Sequence, residues 1–246
     1  MVMLGLRHGY SSKNGLLKIS YKTSTGRVYP LELAYTSLQS RQVPINRKAT
    51  TRACQNGCAL YGRNGGCPPL APVFSDSWGR HFLILYAKIL TEHYPPKVLN
   101  GAYYTRWVFV ETFLTALTYR IGKYLASALD GYFLGSGHCI SCRPKKCAVK
   151  QGEPCRNPDD ITYSLEATGI LVTELMKRFF GIELKWWRPQ EKDYIPEYML
   201  KVIGLVRDED FAEYEIRRAI LSSLPKQRVE VQEYNIAARS CSLLLI

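Results

Sequence analysis

Seven of the eight cysteines in this 246-residue chain sit in two short stretches. Cys139, Cys142, Cys147 and Cys155 follow the spacing C-x2-C-x4-C-x7-C, and Cys54, Cys58 and Cys67 follow C-x3-C-x8-C. Thiolate sulfur is a soft ligand that selects zinc, Cu(I) or iron–sulfur clusters. A two-residue gap lets Cys139 and Cys142 turn their sulfurs toward one centre. Both stretches carry the glycine and proline of a backbone that must curl and then stop. Arg143, Lys145, Lys146 and Arg156 flank the second set. Such cations favour deprotonated thiols and offset the negative charge of a thiolate-ligated centre. All seven cysteines are therefore candidate metal ligands.

Iron–sulfur loops use closely spaced cysteines, often with a proline after one of them, and Cys67-Pro68 has that feature. Zinc ribbons prefer two C-x2-C pairs, of which only one is present. The favoured cofactor is an iron–sulfur cluster of [4Fe-4S] type, one or two per chain, with zinc at a four-cysteine site as the alternative. The three-cysteine loop admits several completions: an iron left open to a ligand, a fourth ligand from Cys241, His138, an Asp or water, or ligands shared with the second loop. Cys241 reads as a small buried residue and His138 as a supporting neighbour of Cys139. His8, His81 and His93 lack ligand spacing.

These loops need a scaffold. Residues 16–23 alternate around Ile19 and Tyr21 as a strand, residues 24–26 form a turn, and residues 27–35 form a second strand interrupted by Pro30. Residues 39–50 read as a polar linker. Residues 82–89 are apolar on both faces, as in a central strand. Val110, Leu114, Leu117, Ile121 and Leu125 mark the apolar stripe of a helix over residues 103–129, and residues 130–137 break it. Ser164 reads as an N-cap with Glu166 in the first turn of a helix that buries Leu175 and Phe179 and ends at Gly181. Residues 183–188 and 199–206 read as strands, residues 210–221 as a helix and residues 228–234 as an edge strand. In Trp186-Trp187, one ring is expected to pack inward.

The fold class is α/β, a layered sheet-and-helix domain with two cysteine-rich loops. Its expected divisions are a basic N-terminal extension over residues 1–53, built as a hairpin, a metal-binding core over residues 54–221, and a tail over residues 222–246.

The net charge is +12. Residues 1–53 hold nine Lys or Arg, beginning with Arg7 and Lys13, against the single acid Glu32. Such a field concentrates polyanions, so RNA or a ribonucleoprotein is an expected partner. Arg41, Arg47, Lys48 and Arg52 are the candidate contacts, and Tyr10, Tyr21, Tyr29 and Tyr35 lie near them in sequence. No uncharged apolar run approaches the ~18–20 residues of a membrane span, and the first residues lack a signal-peptide core. The expected setting is the cytoplasm, where thiols stay reduced. No nucleophile–base pair or phosphate-binding glycine loop is present, so no reaction is assigned. Two functions of different kind follow. One is redox, electron transfer or sulfur handling with a partner redox protein. The other is a non-catalytic RNA- or ribonucleoprotein-associated factor whose metal staples the loops. A cluster enzyme that modifies RNA would combine them.

The two loops together resemble a family of small bacterial and archaeal proteins described as predicted metal-binding proteins of unknown function. The residues that carry the resemblance are Cys54, Cys58, Tyr61-Gly62, Cys67-Pro68-Pro69, the four cysteines from Cys139 to Cys155, and the segment Ser164-Leu165-Glu166-Ala167-Thr168-Gly169-Ile170. It covers about residues 53–205. It implies a bound metal of iron–sulfur type and leaves the basic N-terminal residues without a counterpart.

Overall fold

The alternating residues around Ile19 form β1 (Asn14–Lys22), which turns at Thr23 and Gly26 into β2 (Val28–Gln39) in the computed structural model of the chain. The structure describes residues 14–23, 25–58, 61–191, 193–225 and 229–236. Arg7, His8, Tyr10, Lys13 and Cys241 lie outside them. Pro30 pairs with Ser20 of β1, while pairing of β2 with the next strand starts only at Glu32. The N–H that proline lacks therefore falls where β2 has one neighbour, the place a strand proline is tolerated.

β3 (His81–Leu90) lies between β2 and β6 (Tyr198–Arg207), antiparallel to both. β7 (Val229–Ile236) pairs with β1 as an edge strand. On the other side of β6 stand β4 (Tyr132–Gly135) and then β5 (Tyr163–Ser164), which runs parallel to β4. The strand order is β5-β4-β6-β3-β2-β1-β7, one mixed seven-stranded sheet. The described part of the segment set apart as an extension thus supplies two strands of the main sheet, and β2 hydrogen-bonds directly to β3.

Alternate residues of β3 feed two apolar clusters, one on each face. Leu83, Leu85, Ala87 and Ile89 pack under α3 (Tyr103–Ala128) and α5 (Glu213–Ser223), preceded by the single turn α2 (Pro96–Leu99). Phe82, Ile84 and Tyr86 pack with Phe74 and with Leu175 and Met176 of α4 (Val172–Phe180). The stripe expected on α3 is buried from Val110 to Leu125. Among the described residues, no helix is long and apolar enough to cross a membrane.

Several local expectations differ from the structure. Residues 130–137 contain β4 as well as the helix break. Residues 183–188 form no strand. Tyr198 Oη donates to Glu183 O and Trp187 turns inward, leaving Trp186 exposed. Ser164 does not cap α4. It ends β5, and its hydroxyl accepts from Ala167 N at 3.0 Å within a 3-10 turn. The polar linker over residues 39–50 contains the start of α1 (Arg47–Gly57).

Leu114 is fully buried where α3 meets the sheet. Leu114→Ala should lower unfolding stability by about 2–5 kcal/mol through the cavity it leaves. Arg120→Ala on the exposed face should change it by no more than about 0.5 kcal/mol. Urea denaturation of the two variants checks the pair.

Candidate metal centre

The first thiol loop leaves α1. Asn46 caps that helix, its Oδ1 accepting from Ala49 N at 3.0 Å. Cys54 lies in the last turn, and Cys58 closes it by donating its N–H to Cys54 O at 3.0 Å. The chain then curls through Gly62, whose N–H reaches Pro68 O at 2.8 Å. Cys67 is buried and its carbonyl accepts from both Leu70 and Ala71.

Both ends of this loop are fastened to one turn, residues 165–171. Asn46 N donates to Gly169 O at 2.8 Å, Phe74 N donates to Thr168 O at 2.9 Å, and Leu171 N donates to Pro44 O at 2.9 Å. Arg47 adds a clamp. Its guanidinium donates to Ala167 O, to Ala71 O at 2.8 Å and to Pro69 O at 3.2 Å. Gly169 has φ +95°, and a Cβ there would stand 3.3 Å from Arg47 Cα, so the turn needs glycine for both reasons. The Ser164–Ile170 segment is thus the platform under α1.

The second thiol loop, residues 136–162, is the crossover between the parallel strands β4 and β5. Its folds are fixed by polar side chains. Asn157 Nδ2 donates to Ser141 O at 3.1 Å and lies 3.6 Å from Cys142 Sγ. Ser141 Oγ donates to Asp160 O, and Asp160 pairs with Lys123 of α3. Arg156 Nη1 donates to Lys146 O at 2.8 Å, and Arg143 Nη2 lies 3.3 Å from His138 Nε2.

The loops meet at Asn64. Its Nδ2 donates to Cys139 O at 3.2 Å, and its Oδ1 accepts from Gly66 N at 3.0 Å. The Asn64 carbonyl also accepts from Cys67 N at 3.0 Å. A Cβ on Gly66 would stand 2.3 Å from Thr162 O and 2.9 Å from Cys139 Cβ, so only glycine permits this approach. One buried asparagine therefore fixes the backbone of a cysteine in each loop.

All seven described cysteines are free. Burial pushes the Cys67 thiol up to about 12, helped by the negative charge of Cys58, Cys54, Cys139 and Cys147. Burial, with Cys58 and Glu166, also raises Cys54, and Arg47 partly opposes this. Cys139 goes the other way. Burial would raise it, but hydrogen bonds from Ser141 and Thr162 outweigh that and lower its pKa. Thr162 N lies 3.5 Å from Cys139 Sγ. Among the described residues, no three His, Cys, Asp or Glu side chains form a ready metal cage. The donor set fits a soft metal: free sulfurs from both loops, with Cys54 and Cys67 held protonated by burial and neighbouring negative charge that a bound cation would offset.

The sequence places Arg47 with Arg41, Lys48 and Arg52 as an expected nucleic-acid contact. Its guanidinium is instead committed to carbonyls, while the other three are exposed. Asn64, Ser141, Asn157 and Thr162 escaped the sequence reading, since polar residues in glycine- and proline-rich loops have an ordinary explanation as turn formers. Arg47→Met should lower stability by about 2–4 kcal/mol by stranding part-buried carbonyls. Arg41→Ala should leave it within about 0.5 kcal/mol. Thermal and urea unfolding of the two variants tests the distinction.

Comparison with known proteins finds no matching curated protein and no matching solved structure. Residues 36–206 match a family described as "Predicted metal-binding protein (DUF2284)", a span from within β2 to the end of β6 that includes both thiol loops and the platform between them. With well over half of its length matched, the chain belongs to this family of predicted metal-binding proteins.

Proposed function

We propose that the protein carries an iron–sulfur cluster of [4Fe-4S] type on its thiol loops and acts in electron transfer or sulfur handling. The joint at Asn64, Gly66 and Cys139 carries this reading, because it ties the backbone of Cys139 in one thiol loop to that of Gly66, next to Cys67, in the other. Two further features suit a thiolate-ligated centre. Thr162 N and Asn157 Nδ2 approach Cys139 Sγ and Cys142 Sγ, and hydrogen bonds to ligand sulfurs tune the potential of such centres. Arg63, Arg143, Lys145 and Lys146 are exposed in these loops, where positive charge offsets that of thiolates.

When bound, the group supplies one-electron redox chemistry. The chain's own part is to present the sulfurs, donate hydrogen bonds to them and surround them with cations. Such a rim also suits docking of an acidic redox partner. The seven described cysteines are free, which supports a reducing compartment such as the cytoplasm.

A second reading rests on the exposure of Arg41, Lys48 and Arg52, the last two on the helix that leads into the first thiol loop. They extend the cationic surface in a way that suits RNA, with the metal as a staple.

Anaerobic purification with iron, sulfide and zinc counted per chain tests the first reading. About four or eight irons with equal sulfide are expected, and zinc without sulfide would refute it. For the second, RNA affinity should fall with salt by roughly 0.9 or less in log–log slope per phosphate neutralised. Binding that ignores salt would refute that reading.

A further inference from the structure

The four-cysteine loop looks self-sufficient from its spacing, and the three-cysteine loop looks one ligand short. The contacts group the thiols differently. Cys139 is the cysteine of the second loop whose backbone is tied to the first. Its carbonyl accepts from Asn64, and its N and Cβ face Gly66, the residue immediately before Cys67. Cys67 in turn hangs from Asn64 O. Cys142 has a different companion, Asn157, and Arg156 next to Cys155 ties back to Lys146 next to Cys147. We propose that Cys139 completes the first loop, so that Cys54, Cys58, Cys67 and Cys139 hold one closed centre while Cys142, Cys147 and Cys155 form a separate three-thiol set. This rests on the metal reading above.

On coordination each of the four thiols releases its proton to solvent, and the metal changes no oxidation state in that step. Asn64 is a positioning residue, acting on the sulfurs only through the two backbones it holds.

The test uses the full chain stripped of metal under reducing, anaerobic conditions. Zinc ion alone is added at one equivalent, and thiols left unprotected are alkylated and mapped by mass spectrometry. Joint protection of Cys54, Cys58, Cys67 and Cys139 is expected. Protection of Cys139 together with Cys142, Cys147 and Cys155 would overturn the grouping. As a second measurement, Cys67→Ser, Cys139→Ser, Cys142→Ser and the double variants of Cys67 with each are purified anaerobically. Metal content and visible absorption are read for each. Cys67→Ser and Cys139→Ser should lose the same component, with no further loss when combined, whereas Cys142→Ser should add to Cys67→Ser. A Cys139→Ser variant that behaves like Cys142→Ser, or identical total loss in all three, overturns it. A wild-type chain that takes up no metal in either experiment removes the metal reading itself, which is a distinct result.

Discussion

Three carbonyl oxygens from two stretches of chain converge on the guanidinium of Arg47, and the placement of the first thiol loop depends on it. None of the described cysteines belongs to either apolar cluster and only Cys67 is buried, so packing alone does not position them. Their location is set by directional polar contacts instead. The residues 165–171 turn receives the start of α1 and the exit of the first loop, and Arg47 joins all three pieces. The carbonyls it satisfies would otherwise face a part-buried junction without donors, a costly state for a backbone group.

The second loop is anchored by a different constraint. A parallel strand pair requires a long crossover, usually a helix. Here the crossover between β4 and β5 is the loop of Cys139–Cys155 residues, pinned at both ends by the sheet edge. Lys123 and Asp160 hold its return to α3. Two loops with separate anchors then meet through Asn64, which makes their mutual position a property of the fold as a whole.

Periodicity exposed much of this scaffold in the sequence. The spacing of Val110, Leu114, Leu117, Ile121 and Leu125 located α3, and apolar residues on both faces located β3 at the centre of the sheet. β4 escaped because four residues after a helix end carry too short a pattern. Residues 183–188 misled because alternating apolar side chains serve a packed irregular segment as well as a strand. The basic N-terminal stretch reads as an addition because its charge is visible in the sequence and the pairing of β2 with β3 is not. The cysteines announced themselves by spacing. What joins them did not, since Asn64 bonds to a residue 75 positions away and its local sequence explains an asparagine without that bond.

The sheet and its two apolar layers make no use of the cysteine sulfurs. Seven strands, α3 and α5 on one face and α4 on the other are held by contacts that a thiol-bound ion does not enter. The scaffold's stability is therefore uncoupled from the chemistry of the thiol loops. Substitutions in those loops can accumulate without unfolding the sheet that carries them, so the same framework tolerates change in the segments it presents.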